Sequence, residues 1–599
     1  MTPRIEGVFG RPANDERRSR SGHAQLTFAT GYLDVDRSVH TARRGETLCV
    51  AVGDPRVDAH ARLRDATDGN PAESWIDLFE RFGVDAPAQV RGRFAVVLAD
   101  PAQRRIFLAV DRFATWPLCF ALHEGAVAFS DRADCVPGDT RRISRQALFD
   151  YFYFHVIPAP RTVFEDVERL PAGHVLTCDD GRVTQHRYWN PRFVDEYRDL
   201  DTAKDEFRRL VREAVEREAA GHSAGAFLSG GTDSSTVAGM LTKVGEGRAK
   251  TYSIGFDVGG YDEMAYARIA SAHFGTEHHE YYVKPADIVE GLPRIAGAYD
   301  QPFGNSSVLP AWVCARMARD DGIDKMLAGD GGDELFGGNV RYAKQRIFGF
   351  YDSVPAPVRR HLVEPMLRLR GIGSIPLARK GRSYIDQARV AMPERTEMYN
   401  LLSRLGPDNV FTREFLASVD GGAPLRAQQE SWNAIQASTL IDRMLAFDWK
   451  YTLADNDLPK VIGATSLADV AVGFPLLADE IVEFSLRLRP EWKLKGLTLR
   501  WFFKEALKDF LPAEIIAKKK HGFGLPFGRW VVSDDALARL VQRSLDGFAA
   551  RNIARPEFLR ELMQHRMREH PGYYGELVWL ITVAEHWFEV HDADWRLDG

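Results

Sequence analysis

The chain has 599 residues, 45% of them hydrophobic and 27% charged, and its formal net charge is −6. This composition is typical of a globular protein with two or more domains, and the charge gives no overall attraction to nucleic acid or an anionic membrane. With no apolar run near the ~20 residues of a membrane span, no signal-peptide core and scattered cysteines, the sequence predicts a cytoplasmic protein with neither nucleic-acid nor membrane partners.

Residues 1–195 predict a sheet-rich domain. Segments 92–100, 104–113 and 117–130 have β-type patterns separated by turn residues, so we expect adjacent antiparallel strands. The aromatic run from Tyr151 to Phe154 is interpreted as core and interdomain packing. A second domain is expected over residues 196–599, and it opens with an amphipathic helix at about 200–221.

The most informative segment is 224–241, which reads AGAFLSGGTDSSTVAGML. An apolar strand is predicted to stop at Ser229, and a helix to begin near Ser234, with Ser234 or Ser235 as its N-cap. A glycine turn between strand and helix presents backbone N–H groups and the positive end of the helix dipole, which suits a phosphate chain. The candidate phosphate-binding residues are Leu228, Ser229, Gly230, Gly231, Thr232, Asp233, Ser234 and Ser235.

Asp233 indicates which kind of phosphate site this is. A Walker loop would need a lysine, and none stands in this segment. An aspartate beside bound phosphates repels them unless a divalent cation lies between. The sequence therefore predicts Mg²⁺ held jointly by Asp233 and pyrophosphate oxygens.

Strand and helix patterns alternate after this loop. Segments 250–256 and 278–283 predict strands, and 262–275 predicts a helix between them, so we expect a doubly wound parallel sheet with ligand at the carboxyl ends of its strands. A glycine-rich acidic turn, LAGDGGDELFGGN, occupies residues 327–339. Residues 340–450 are predicted to be mostly helical and carry no catalytic signature.

These motifs carry a family resemblance. SGGTDSS at 229–235 resembles the SGGxDS pyrophosphate loop of the ATP-pyrophosphatase superfamily, and the whole chain is similar in motif order to its asparagine synthetase-like branch. The resemblance implies an α/β fold in two parts. The first part is a degenerate, N-terminal nucleophile-type glutaminase-like sheet domain. The second is a doubly wound parallel-sheet ATP-pyrophosphatase synthetase domain with extra helices.

The same resemblance implies ATP and Mg²⁺ as ligands and assigns further site residues. Asp333 matches a second magnesium-binding aspartate, and Ile254, Ala328 and Gly329 match positions that line the nucleotide. Asp330 stands where asparagine synthetases carry glutamate and β-lactam synthetases tyrosine, so it would orient the substrate or act as a base. Lys520, two residues before Gly-Phe-Gly, matches the cation that neutralises charge at the α-phosphate; Lys518 and Lys519 are interpreted as solvated.

The chain departs from the family pattern in two regions. Thr2 and Pro3 stand where the nucleophilic cysteine of the glutaminase belongs, and Val52-Gly53-Asp54 replaces the Asn-Gly-Glu amide-binding loop, so we expect no glutaminase activity. Ala471, Gly473 and Ala478 replace Glu, Arg and Asp of the usual acceptor segment. These smaller side chains are predicted to open room for an acceptor larger than aspartate.

With glutamine hydrolysis lost, the GTDSST and GDGGDE variants favour a resemblance to lasso-peptide cyclases. The sequence hypothesis is an enzyme that adenylates an Asp or Glu side chain of a precursor peptide, whose N-terminal amine then closes a macrolactam. A leader peptidase and a leader-recognition protein would be its partners. Three alternatives stay open: an ammonia-using asparagine synthetase-like amidase, a β-lactam synthetase-like small-molecule cyclase and a non-catalytic scaffold.

Overall fold

Two six-stranded antiparallel sheets make up the first part of the chain. The computed structural model describes residues 4–10, 23–28, 31–57, 69–138, 141–245, 247–353, 355–358, 361, 386–519 and 524–597. The strands of this part are β1 (Ile5–Phe9), β2 (His23–Phe28), β3 (Gly31–Asp36), β4 (His40–Arg44), β5 (Thr47–Gly53), β6 (Arg56–Val57), β7 (Val90–Arg91), β8 (Phe94–Asp100), β9 (Arg105–Val110), β10 (Cys119–His123), β11 (Ala126–Ser130), β12 (Glu168–Arg169), β13 (His174–Asp179) and β14 (Arg182–Arg187).

The strand order corrects one sequence prediction. The sheets run β12-β10-β11-β1-β3-β2 and β14-β13-β9-β8-β5-β4, while β6 and β7 form a separate pair. Strands β8 and β9 form the predicted antiparallel hairpin, and so do β10 and β11. The prediction that 104–113 and 117–130 are neighbours is wrong, because the chain crosses from one sheet to the other between β9 and β10. Each strand alone has the same β pattern, so the crossover leaves no signal in the periodicity.

These sheets are covered on both outer faces, which gives four layers. Alternate residues of the two sheets, including Leu33, Val50 and Val127, meet in a buried core between them. Helix α1 (Pro71–Phe82) covers one outer face through Trp75. Helix α2 (Arg145–Phe154) covers the other and packs on into the second part of the chain.

The second part is built on a five-stranded parallel sheet, as predicted. Its strands are β15 (Ala224–Phe227), β16 (Lys250–Phe256), β17 (Glu277–Val283), β18 (Lys325–Leu327) and β19 (Ala471–Gly473), in the order β17-β16-β15-β18-β19. A short hairpin, β20 (Leu494–Lys495) and β21 (Thr498–Leu499), lies outside this sheet.

Helices cover both faces of the parallel sheet. The helices between residues 200 and 358 are α3 (Leu200–Ala219), α4 (Thr232–Val244), α5 (Met264–Phe274), α6 (Pro285–Ala298), α7 (Val308–Asp320), α8 (Gly332–Phe336), α9 (Val340–Ser353) and α10 (Ala356–Val358). The remainder are α11 (Leu401–Leu405), α12 (Pro407–Val410), α13 (Arg413–Ala417), α14 (Ala423–Ala434), α15 (Leu440–Asp448), α16 (Leu458–Leu467), α17 (Asp479–Arg487), α18 (Pro490–Lys493), α19 (Trp501–Leu507), α20 (Ala513–Ala517), α21 (Phe527–Ser533), α22 (Asp535–Ala550), α23 (Pro556–Glu561), α24 (Met567–Glu569) and α25 (Pro571–His591). Residues Trp449–Asp457 and Leu562–Arg566 are π-helical.

Each face of the parallel sheet has its own core. Helices α3, α4, α5 and α19 pack on one face, and α6 and α7 on the other, so the sheet is doubly wound. None of the described helices is long and apolar enough to span a membrane.

The two parts meet over an extensive interface. Asp479 accepts a hydrogen bond from the Gly92 N–H at 2.5 Å and pairs with Arg112 at 3.0 Å. On the opposite side of the first part, the aromatic run of α2 behaves as predicted at Tyr151 and Phe152. The Phe152 ring lies 5.4 Å from that of Phe411 and 5.7 Å from that of Phe548.

Candidate active site

The loop after β15 has the geometry of an anion site. Helix α4 begins at Thr232 with Gly231 as its N-cap, and no side chain caps its first turn. The Ser229 N–H donates to the Ser234 hydroxyl at 3.1 Å, which folds the loop back over the helix start. The amide groups of the first turn therefore face outward for a phosphate to accept from.

Two features of this loop differ from the sequence prediction. The predicted N-cap at Ser234 or Ser235 is wrong, because the helix begins earlier and Ser234 serves instead to close the loop. Gly230 has a φ of +66°, and a Cβ there would lie 2.5 Å from the Ala267 nitrogen. Both the turn and the close approach of α5 therefore require a glycine at this position.

The acidic turn after β18 packs directly against the start of α4. Glycines allow the approach: a Cβ on Gly329 would lie 2.7 Å from the Ser234 nitrogen, and one on Gly332 would lie 2.5 Å from Asp233 Cγ. The structure therefore brings Asp233 and Asp333 to one place, as the sequence predicted. Their roles as magnesium ligands stay a prediction.

Arg500, which the sequence analysis did not single out, lies between these two aspartates. Its guanidinium donates to Asp233 at 2.7 Å and also contacts Asp333 and Thr232. Two carboxylates that converge on one guanidinium also suit a divalent cation, which is smaller and prefers oxygen ligands such as carboxylates. Mg²⁺ bound here would be held by Asp233 and Asp333 and would neutralise the phosphate charge; its other ligands would be phosphate oxygens and water.

Asp330 has a partner that the sequence did not reveal. The Lys460 ammonium lies 3.3 Å from Asp330 and 3.0 Å from Asp457, and all three side chains are largely buried. Burial raises the pKa of Asp330, while Lys460 opposes that rise. For Lys460, the two carboxylates outweigh burial and raise the pKa. Lys460 is thus a fixed cation with Asp330 oriented against it.

Glu334, at the end of the GDGGDE motif, is a second buried carboxyl in this region. Only 6% of the residue is exposed. Burial raises the pKa of Glu334 to about 8, and the carboxylates of Asp457 and Asp448 add to the rise. A carboxyl group with a pKa near neutrality is suited to proton transfer.

The three lysines after α20 differ in how they compare with the prediction. Lys520 lies outside the described residues, so its predicted role stays untested. Lys518 is not solvated: its ammonium donates to the Gly230 carbonyl at 3.2 Å and to Glu263 at 3.0 Å, and 8% of its side chain is exposed. Burial lowers the pKa of Lys518, and Glu263 opposes this. Lys519 is exposed, as predicted.

A cavity of about 910 Å³, here called the loop cavity, joins these groups. Most of the phosphate loop lines it, with Ile254, Gly329, Asp330 and Asp333, together with the newly found residues Glu334, Lys460, Arg500 and Lys518. Gly230, Ser235 and Ala328 do not line it, although all three were predicted to contact the nucleotide; Ser235 and Ala328 are fully buried. The volume lies at the upper end of the range for small-molecule sites.

The predicted enlargement at residues 471–478 is not borne out by the geometry. Ala471, Gly473 and Ala478 do not line the loop cavity. A Cβ on Gly473 would lie 2.6 Å from Glu218 Oε2 and 2.9 Å from Leu327 Cδ2, so neighbouring side chains already fill the space. The predicted room for a larger acceptor is therefore absent at Gly473, whereas Ala478 lines a separate cavity of about 260 Å³ and the acceptor itself stays a prediction.

The fold and the site together define the class of protein. A glycine loop and two aspartates meet at the carboxyl edge of a parallel, doubly wound sheet, where such folds bind their ligands. The chain is an α/β protein whose sheet edge is shaped for a phosphate-bearing ligand.

Comparison with known proteins identifies the family. The asparagine synthase model matches residues 206–589, and a glutamine amidotransferase domain model matches residues 59–189. Because the first match alone covers more than half of the chain, the protein belongs to the asparagine synthase family. It is accordingly an asparagine synthase-like enzyme of ATP-dependent amide formation. The boundary predicted at residue 195 falls between the two matched regions and stays a prediction.

Three curated proteins illustrate the similarity. A putative glutamine-hydrolyzing asparagine synthetase of Mycobacterium tuberculosis is 27% identical over 494 residues, which cover 79% of this chain and 72% of that protein. Glutamine-hydrolyzing asparagine synthetase 1 of Bacillus subtilis is 23% identical over 531 residues, covering 87% and 80%. Amidase chry2 of Gibberella zeae is 29% identical over 285 residues, covering 44% and 42%.

Proposed function

We propose that this protein is a lasso-peptide cyclase that uses ATP and Mg²⁺ to close a macrolactam. The observation that carries the proposal is the loop cavity, whose volume of about 910 Å³ holds both a phosphate loop and the Asp330–Lys460 pair. Such a cavity has space for a carboxylate substrate beside the nucleotide. The GTDSST and GDGGDE variants of the two motifs support the cyclase among the enzymes of this family.

The reaction would proceed in two steps. An Asp or Glu side-chain carboxylate of the peptide attacks the α-phosphorus of ATP, and the bond to the β-phosphate oxygen breaks as pyrophosphate leaves. The peptide amine then attacks the activated carbonyl carbon, AMP departs with the electrons of the C–O bond, and the nitrogen loses one proton. Bound Mg²⁺ would supply charge neutralisation on the phosphates.

The described residues would divide this work. Amides at the start of α4 would bind the departing pyrophosphate, and Asp233 and Asp333 would hold the metal. Lys460 would fix Asp330 in position to orient the peptide. Glu334, whose pKa is raised to about 8, would accept the proton from the amine in its ionised form, the share of which grows as the pH rises through that value.

The source of the amine distinguishes the cyclase from the glutamine-hydrolyzing relatives. Val52-Gly53-Asp54 stands in place of the family's amide-binding loop, and Asp54 lies 3.5 Å from Arg93. An amine within the peptide would then replace ammonia from glutamine. The partners of the cyclase would be a protein that removes the leader peptide and a protein that recognises it. The cyclase would be located in the cytoplasm.

Pyrophosphate release from Mg²⁺–ATP would test the proposal. We expect release with a leader-cleaved peptide that contains an internal Asp or Glu, and a product lighter than the peptide by one water. Asp233→Asn should abolish release, whereas Asp205→Asn, at a side chain 78% exposed on α3, should not. Release only with free aspartate and ammonia would refute the cyclase.

That last outcome would identify the second candidate, an ammonia-using asparagine synthetase-like amidase. The names of the relatives favour amide formation on a small acceptor such as aspartate, since they include asparagine synthetases and an amidase, but the two synthetases are named for glutamine hydrolysis rather than for free ammonia.

A further inference from the structure

Lys504 is a partly buried cation in the wall of the loop cavity. It lies on α19, one helical turn after Arg500, and its backbone N–H donates to the Arg500 carbonyl at 2.9 Å. Residues four apart are neighbours on one face of a helix, so the two side chains lie next to each other. Both cations line the space in which the phosphate chain is expected.

Lys504 differs from Arg500 in having no counter-charge. Among the described residues, no carboxylate forms an ion pair with Lys504. Its sequence neighbour Glu505 pairs instead with Lys508, at 3.9 Å. Burial lowers the pKa of Lys504, and the nearby Arg500 guanidinium lowers it further. A cation in this position costs free energy in the folded chain, because it has lost part of its water and lies beside a like charge.

The other charged groups of the loop cavity are engaged with one another. Three cations hold five carboxylates, in the pairs Arg500 with Asp233 and Asp333, Lys518 with Glu263, and Lys460 with Asp330 and Asp457. Glu334, whose pKa is about 8, is mostly protonated at neutral pH. Lys519 also lines the cavity, but it is exposed to solvent. Lys504 is thus the partly buried cation of this cavity that the described carboxylates leave unmatched.

We infer that Lys504 binds the pyrophosphate that leaves when the carboxylate is activated. The backbone amides at the start of α4, and a metal on Asp233 and Asp333, would hold the phosphate nearest the loop. The Lys504 ammonium has three N–H donors, and its hydrogen bond to a phosphate oxygen would be charge-assisted and about twice as strong as a neutral one. The assignment rests on the pyrophosphate-releasing step of the proposed function, but on neither the peptide nor its amine.

A phosphate chain fits this position better than a carboxylate does. Arg500 already contacts Thr232 at the start of α4, and Lys504 continues the cationic wall by one turn of α19. Two linked phosphoryl groups can lie against the phosphate loop and Lys504 at the same time. A single carboxylate could reach only one of these two places.

Binding of inorganic pyrophosphate tests the inference without any peptide. Calorimetric titration of the full chain with Mg²⁺–pyrophosphate and, separately, with AMP measures the two affinities. Lys504→Met should weaken pyrophosphate binding by at least about tenfold and change AMP binding by less than about twofold. Lys504→Arg keeps the charge and should keep the pyrophosphate affinity within about threefold.

Three results of this titration would overturn the inference. The first is unchanged pyrophosphate binding in Lys504→Met, and the second is an equal loss of affinity for AMP. The third is a failure of the unmodified chain to bind pyrophosphate.

Lys508→Met is the control on the same helix. Lys508 ends α19, its side chain is 54% exposed, and it does not line the loop cavity. This variant should bind pyrophosphate as the unmodified chain does. A loss equal to that of Lys504→Met would show a long-range effect of positive charge instead of contact, and would contradict the assignment.

Stability separates ligand binding from a structural role. Because no described carboxylate pairs with Lys504, Lys504→Met should leave the melting temperature of the ligand-free chain unchanged or raise it. Added pyrophosphate should raise the melting temperature of the unmodified chain more than that of the variant. A lower melting temperature of the ligand-free variant would assign Lys504 to the fold instead.

The results for Lys504 and for the proposed function can be told apart. A chain that binds pyrophosphate through Lys504 yet closes no ring would refute the cyclase and keep this assignment. A chain that closes the ring, while Lys504→Met binds pyrophosphate normally, would keep the cyclase and refute the assignment.

Discussion

Replacing Arg500 by methionine should show how much this guanidinium stabilises the chain by its contacts with Asp233 and Asp333. The guanidinium contacts both Asp233 and Asp333, and these side chains are only 16% and 12% exposed. Methionine retains much of the length and removes the charge. Two carboxylates would then face each other in a largely buried place without the guanidinium that contacts both.

The size of the effect follows from that geometry. Removing one partner of a buried ion pair costs about 3–5 kcal/mol, so we expect Arg500→Met to lower the free energy of unfolding by about 3 kcal/mol in a metal-free buffer. The vacated space should bind a divalent cation more tightly than it does in the unmodified chain. A cation at 100 times its Kd would return about 2.7 kcal/mol of stability.

The assay compares melting temperatures in chelator and in Mg²⁺, with Mn²⁺ binding followed by electron paramagnetic resonance. Arg487→Met is the control, because Arg487 also lies between two carboxylates, Glu206 at 3.1 Å and Glu196 at 3.8 Å, but its side chain is 36% exposed. An exposed pair is worth no more than about 1 kcal/mol. If Arg500→Met binds Mn²⁺ no better than the unmodified chain and gains no extra stability from Mg²⁺, the reasoning is refuted.

Two further predictions concern the carboxyl groups and glycines of the loop cavity. Because burial raises the pKa of Glu334 from 4.5 to about 8, the folded chain binds more protons than the unfolded chain between these values. Stability should therefore fall as the pH rises through that window, by up to about 1.4 kcal/mol per unit. Glu334→Gln should remove this slope in urea denaturation, and an unchanged slope would contradict the assignment. Gly332→Ala would place a Cβ 2.5 Å from Asp233 Cγ, so we expect the free energy of unfolding to fall by about 1–3 kcal/mol and pyrophosphate release to weaken. Gly259→Ala is the control, because a Cβ there would lie in open space, and it should change neither quantity. Equal effects of the two substitutions would show that the close approach is unimportant.

The parts of the site that the sequence predicted are those with local signals. The strand before Ser229, the glycine turn and the acidic turn each have a characteristic order of residues, and a parallel sheet brings such turns to one edge. The pairing of Asp333 with Asp233 comes from the resemblance of these turns to the asparagine synthetase-like motifs, and the edge of the sheet is where the structure has them. The same logic could not distinguish β9 from β10 as members of different sheets.

The residues that sequence reasoning missed owe their position to contacts distant along the chain. Arg500 follows the two-residue strand β21 in a left-handed conformation, with a φ of +53°, and no periodic pattern marks it. Lys518, Lys519 and Lys520 are consecutive and look alike. Contacts distant along the chain bury Lys518: the Gly230 carbonyl, Glu263 just before α5 and the Tyr266 ring, 4.6 Å away. Lys460 could have been found as a lysine three residues after Asp457 on one helical face.

The core that joins the two parts has a consequence for how the chain folds. Tyr151 donates to the Leu580 carbonyl at 2.9 Å, and Phe152 is packed among rings from residues 411 and 548, so hundreds of residues separate the partners. A protein cut near residue 195 would expose this surface on both fragments. The first part thus completes the core of the C-terminal helices, a structural role that does not depend on whether it performs chemistry.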